Sequence, residues 1–216
     1  MQCRQWIFDM DGTLVDSMET VWGQAPLVLL ARFGRTPRPG LRETLLPMDL
    51  PDCARYLVRE YQLPLDSARF EQVMKEVTLE LYQQAPLKPG VRELLERLRA
   101  EGARMCVCSN TWETHCCAAL TRLGVADCFE FILTAQGEKN KDKPAVFLEA
   151  MHRLGGSDPA ACVVCEDALY AARTAHDAGF VVLGMEDADS RADAPALRAL
   201  SHQFVSDWRC LDWRRL

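Results

Sequence analysis

The stretch DMDGTLVDS, residues 9–17, follows directly on the apolar run Trp6-Ile7-Phe8. An apolar run that stops at a Gly-containing turn reads as a short buried strand. Asp9 and Asp11 then stand two positions apart at the mouth of a sheet. A carboxylate in such a place costs free energy unless a cation or hydrogen-bond donors meet it. Two carboxylates this close repel unless they share a metal or divide labour. Turn chemistry alone is the alternative for Asp11-Gly12, since both residue types favour turns.

Working outward, apolar runs like 5–8 recur at 104–108, 129–133, 161–165, 181–183 and 203–205. Val91, Leu94, Leu95 and Leu98 follow the i, i+3, i+4, i+7 spacing of an amphipathic helix. Helices also fit 114–123, 145–154, 169–178 and 207–214. Short strands alternating with helices predict an α/β fold, a doubly wound, Rossmann-like parallel sheet covered on both faces. Residues 16–86 break this rhythm and hold no convincing strand. Helical patterns cover 27–33, 51–61 and 66–84, the last with Phe70, Val73, Val77 and Leu81 on one face. The expected organisation is an α/β core of residues 1–15 and 87–216, interrupted by an all-helical insert of residues 16–86.

The chain has 216 residues and a formal net charge of −6. It lacks a Lys/Arg run of the density that nucleic-acid binding asks for. Arg32, Arg35 and Arg38 cluster around one turn and read as a solvated surface. No stretch approaches ~18 consecutive apolar residues, the length of a membrane span. The start, MQCRQWIFDM, has no apolar signal core, so a cytoplasmic protein is expected. The ten cysteines read as reduced core residues. Cys162 and Cys165 form a CxxC, but inside an apolar strand positions three apart point to opposite faces, and one metal could not bind both.

In a doubly wound sheet, ligands bind outside the carboxyl ends of the strands. The polar residues after each predicted strand should therefore converge: Asp9 and Asp11; Ser109, Asn110 and Thr111; Glu166 and Asp167. Ser109 and Asn110 stand at a strand-to-helix junction, where free N–H groups meet an anion or where the side chains simply cap the helix. Glu166 and Asp167 join Asp9 as hard oxygen donors of the kind Mg²⁺ prefers, or else cap the next helix. Lys143 comes just before the helix that begins near Pro144. Lys139 and Lys141 of the same polar loop, KNKDKP, are rival candidates.

These four stretches, in this order, resemble the motifs of the haloacid dehalogenase (HAD) superfamily, from Asp9 to Gly179. DMDGT resembles the first motif, Ser109 after its strand the second, Lys143-Pro144 the third, and EDALYAARTAHDAG the fourth. The helical insert resembles the cap of the subfamily that includes phosphoglycolate phosphatase-like and β-phosphoglucomutase-like enzymes. The resemblance implies a Mg²⁺-dependent phosphatase of a small phosphorylated metabolite, and the charge and hydropathy patterns above lead us to expect no nucleic-acid or membrane partner. It implies Asp9 as nucleophile and Asp11 as general acid and base, the latter a feature of phosphatase-like members and not of dehalogenases. Ser109 and Asn110 would hold the phosphoryl group, and Lys143 would balance its charge. Mg²⁺ would sit on the Asp9 side chain, the Asp11 backbone carbonyl, Asp167 and, directly or through water, Glu166. The cap would close over the core and choose the leaving group.

Three departures stand out. The Pro and Asp that usually follow the third motif's Lys-Pro are missing. Ala168 and Ala171 replace the usual Ser and Gly of the fourth motif. Val21 and Leu50 stand where phosphomutase relatives carry a histidine and an arginine, which disfavours a β-phosphoglucomutase-like mutase as the alternative. The other alternative, a non-catalytic HAD-fold binding protein, is disfavoured because the nucleophile and the metal acids are all present. Substrate identity and oligomeric state are not legible.

Overall fold

The computed structural model describes residues 4–46, 48–135 and 140–216. Six strands make one parallel sheet in the order β3-β2-β1-β4-β5-β6. They are β1 (Gln5–Phe8), β2 (Arg104–Ser109), β3 (Ile132–Thr134), β4 (Cys162–Glu166), β5 (Val181–Met185) and β6 (Gln203–Val205). β1 is central, with Phe8 paired to Val107 of β2 and to Cys165 of β4. The chain winds from β1 outward through β2 and β3, then returns to β4 on the other side. That reversal is the topological switch point where α/β sheets bind ligands. The ends of β2, β1 and β4 therefore lie side by side.

The strands are nearly continuous apolar runs because helices shield both faces. Trp6, Ile7 and Phe8 are fully buried, as are Cys162, Val163, Val164 and Cys165. In chain order the α-helices are α1 (Ala25–Arg32), α2 (Leu41–Leu45), α3 (Leu50–Glu60), α4 (Ser67–Tyr82), α5 (Val91–Ala100), α6 (Glu113–Arg122), α7 (Ala145–Arg153), α8 (Leu169–Asp177) and α9 (Ala194–Leu200). Val91, Leu94, Leu95 and Leu98 of α5 are all buried, as their spacing predicts.

The chain divides into two compact units, one of residues 1–16 and 86–216 and the other of residues 17–85. Among the described residues the regular elements of the second unit are all helices. Phe70, Val73 and Val77 of α4 form its buried face, together with Leu29 and Leu30 of α1. The arginines of the RFGRTPR turn, Arg32, Arg35 and Arg38, are anchored rather than merely solvated. Arg32 pairs with Glu76 and Glu80, Arg35 donates to the Tyr61 and Gln62 carbonyls, and Arg38 pairs with Glu60. Val21 is buried in this unit and Leu50 is half-buried.

Several elements differ from the sequence reading. The third strand starts at Ile132, not at residue 129, because Ala126–Cys128 closes a 3₁₀ turn with Phe129 as its cap. The helix expected over 207–214 is two 3₁₀ turns, Trp208–Cys210 and Trp213–Arg215. Asp207 and Asp212 each accept a bond from the N–H two residues on, and this local capping competes with a continuous helix. The π-helical turn Met18–Trp22 and the short helices α2 and α9 had no clear periodic signal. The cysteines are not all core residues. Cys116 is buried, but Cys117, its neighbour on α6, is exposed, as is Cys210. Adjacent helical positions cannot share one face. Among the described residues no helix is long and apolar enough to cross a membrane.

Candidate active site

The register carries the chain one step past Phe8 to Asp9, level with Glu166 at the end of β4. The Asp9 N–H continues the ladder by donating to the Cys165 carbonyl at 3.0 Å. Asp9 is thus held by strand geometry, and its carboxylate is 7 % exposed. The chain then turns sharply, with Gly12 N–H donating to the Val15 carbonyl at 2.9 Å. Gly12 has φ +80°, and a Cβ there would come within 2.7 Å of Asp167 Cγ. Glycine is required at this point for its backbone conformation and for the close approach of Asp167. The buried Trp208 indole donates to the Thr13 carbonyl at 3.0 Å and pins the turn from the C-terminal side.

Oxygens of Asp9, Glu166 and Asp167 all lie within 4.8 Å of one another, and all three residues are buried. Into this group reaches Lys141, itself 2 % exposed. Its ammonium donates to Asp9 Oδ1 and, at 2.7 Å, to Glu166 Oε1. The Ala168 N–H donates to Glu166 Oε2 at 3.1 Å, so both Glu166 oxygens are engaged. Asp167 accepts longer bonds, 3.3 Å each, from the hydroxyls of Thr13 and Ser190.

Lys143 is the lysine expected here from the third motif. Lys143 is exposed, and its N–H donates to the Asn140 carbonyl within the turn that leads into α7. Lys141, a rival in the same loop, is the lysine at the carboxylates, and Lys139 lies outside the described residues. Asn110 is exposed, and its amide donates to the Tyr170 hydroxyl at 2.7 Å. Ser109 is buried at the end of β2, and its Oγ accepts from the Thr111 N–H at 3.1 Å. Asp11 is half-buried, and its Oδ2 accepts from the Thr111 hydroxyl at 2.6 Å. The two departures in the fourth motif have local readings. Ala171 is buried in the core under α8, where a small side chain packs, and Ala168 orients Glu166 through its backbone.

The electrostatics follow from burial. Desolvation pushes the Asp9 carboxyl up to about 8; the nearby Lys141 opposes this, while Glu166 and Asp11 add to it. Burial likewise raises Asp167, reinforced by Asp9, Glu166 and Asp187. Burial disfavours the Lys141 ammonium, but Asp9 and Glu166 outweigh it and hold the group well above the ordinary lysine value. One ammonium among three carboxylates leaves two negative charges uncompensated when all are ionised. A divalent cation would supply that missing charge. Asp9 Oδ2 is buried and has no hydrogen-bond partner among the described residues. An orphaned carboxylate oxygen beside two further acids fits a hard cation such as Mg²⁺.

A sequence model of the haloacid dehalogenase-like hydrolases matches residues 6–185. A probable pseudouridine-5′-phosphatase of Drosophila melanogaster is 27 % identical over 84 % of this chain and 80 % of its own length. Hexitol phosphatase B of Escherichia coli K12 is 30 % identical over 76 % of this chain and 74 % of its own length. The crystal structure of CbbY from Rhodobacter sphaeroides in complex with phosphate superposes with a TM-score of 0.82. It covers 99 % of each chain at 21 % identity, a likeness of fold.

Proposed function

The chain belongs to the haloacid dehalogenase-like hydrolase family, and on that premise we propose that it removes phosphate from a small soluble metabolite through an aspartyl phosphate on Asp9, with Mg²⁺ as cofactor. The observation that carries this reading is the orphaned Asp9 carboxylate oxygen beside Lys141, Glu166 and Asp167. Asp9 is held rigidly and poorly solvated, as a nucleophile must be, with one oxygen met by Lys141 and the other left for a cation.

Asp9 attacks phosphorus in line, and the bond from phosphorus to the leaving oxygen breaks. The leaving oxygen takes a proton from Asp11. Asp11, now a carboxylate, accepts a proton from the water that hydrolyses the acyl phosphate and so regenerates Asp9. Lys141, rather than Lys143, balances the charge of Asp9 and of the transferring group. Ser109 binds a phosphoryl oxygen at the end of β2. Asp9 Oδ2 and Asp167 are the side chains that would hold Mg²⁺, with the Asp11 carbonyl; Glu166, engaged by Lys141 and the Ala168 N–H, completes the negative set. When bound, Mg²⁺ supplies charge stabilisation for the phosphoryl oxygens.

The curated relatives named above are phosphatases of phosphorylated small molecules, which supports that substrate class. Val21, at the position where mutase relatives carry a histidine, is apolar and buried. This supports water over a sugar as phosphoryl acceptor. The test is phosphate release from a panel of sugar phosphates and p-nitrophenyl phosphate. Activity should vanish with EDTA and return with Mg²⁺; full activity after exhaustive chelation contradicts the metal's role.

A further inference from the structure

We propose that Thr111 is a positioning residue for proton transfer, one that aims the carboxyl group of Asp11 at the leaving oxygen. The proposal rests on the phosphatase reading above and adds a residue to it. Thr111 is buried, and its polar groups are all engaged. Its hydroxyl donates to Asp11 Oδ2 at 2.6 Å. Its N–H donates to Ser109 Oγ at 3.1 Å, and its carbonyl accepts from Cys116 Sγ at 3.7 Å. The residue bridges the ends of β2 and β1 and connects the phosphoryl-binding serine to the acid–base group.

The physical need for such a residue follows from the aspartate side chain. Its last torsion is broad and nearly two-fold, so a carboxyl group in a half-open site rotates unless something holds its plane. A hydroxyl donating to a carboxylate at 2.6 Å is a short, charge-assisted bond of the strong kind. The Thr111 backbone is held through its N–H and its carbonyl, so the hydroxyl reaches Asp11 from a fixed base. A hydroxyl also both donates and accepts, so Thr111 remains a partner whether Asp11 is carboxylate or carboxylic acid, as a group that gives up and regains a proton requires.

A leaving-group comparison separates this role from a structural one. When Asp9 attacks, an alkoxide must receive the Asp11 proton as its bond to phosphorus breaks, whereas p-nitrophenolate is a weak base and departs without one. The quantity to measure is kcat/KM, which covers the steps up to leaving-group departure. For Thr111→Val, kcat/KM for an alkyl phosphomonoester turned over by the wild type should fall by about 10- to 100-fold, a fraction of the usual gain from general acid catalysis. With p-nitrophenyl phosphate it should fall less than about threefold, because that leaving group forgoes the general acid's contribution. Thr111→Ser, which keeps the hydroxyl, should retain the wild-type ratio between the two substrates. Thr111→Ala is the second hydroxyl-free variant should valine prevent folding. Equal losses on both substrates, or loss of the ratio in the serine variant, overturn the proposal. A wild type silent on both substrates in Mg²⁺ overturns the phosphatase reading and the proposal with it.

Discussion

Among the described residues, replacing Lys141 by Met removes the one positive charge paired with Asp9 and Glu166. Lys141, Asp9 and Glu166 have side chains 2 %, 8 % and 1 % exposed. Truncating one partner of such a buried pair costs about 3–5 kcal/mol, because the other charge stays behind without compensation. Two carboxylates lose their partner here, but Asp9 relieves part of the cost by taking up a proton, being already pushed up to about 8. The lower end of that range is therefore expected at neutral pH, rising toward alkaline pH. In the reaction, losing one preorganised electrostatic donor costs about 10²–10³ in kcat. Lys143→Met removes an exposed charge and should change stability by less than about 0.5 kcal/mol, with turnover close to wild type. Urea denaturation in EDTA measures the first quantity, and phosphate release at saturating Mg²⁺ the second. Loss of turnover in Lys143→Met, with turnover and stability both kept in Lys141→Met, would refute the assignment of Lys141 to the site.

Two further perturbations test the site from other directions. Gly12→Ala forces a left-handed backbone on alanine, at a cost of about 1–3 kcal/mol, and drives its Cβ into Asp167, so the Mg²⁺ concentration for half-maximal activity should rise. Gly34→Ala is the control, since φ is +64° there with nothing within 4 Å; it should lose stability without changing the Mg²⁺ requirement. The metal-free protein should also lose stability as pH rises. The Asp9 carboxyl is raised from 3.8 to about 8 on folding, so between these values the folded chain binds more protons than the unfolded one, and stability falls by up to about 1.4 kcal/mol per pH unit for one such group. Asp167, raised by burial, acts with the same sign. Thermal midpoints in EDTA should drop from pH 5 to pH 8 and Mg²⁺ should flatten the slope; a metal-free midpoint that climbs over this range contradicts the raised carboxyls.

The parts of this protein legible in its sequence are those whose signal is local. Trp6-Ile7-Phe8 followed by Asp9 announces a buried strand with a carboxylate at its end, and the α5 spacing announces a helix. The convergence of Asp9, Glu166 and Asp167 follows from the strand-end rule once the strands are identified, although their sequence separations are large. Lys141 against Lys143 was not decidable in that way. Both sit in one polar loop with identical side chains, and what separates them is that one is 2 % exposed while the other caps a turn in water. The Thr111–Asp11 bond spans 100 positions and leaves no local trace beyond a Thr after Ser-Asn. The C-terminal segment reads as a helix because Trp208 and Leu211 stand at the i, i+3 spacing of one face. Asp207 and Asp212 instead turn it into two short caps, and the indole of Trp208 reaches Thr13.

The central claim is that Asp9 carries the phosphoryl group, and trapping the intermediate tests it most directly. Enzyme and Mg²⁺ are mixed with p-nitrophenyl phosphate labelled at phosphorus, quenched in acid within one turnover, and the labelled peptide is identified. The account predicts a label on the peptide containing Asp9, released by hydroxylamine as an acyl phosphate must be. It also predicts no label in Asp9→Asn, which keeps the wild-type circular dichroism spectrum but does not turn over. Label on Ser109 or another side chain, or turnover by Asp9→Asn above a few per cent of wild type, would contradict it.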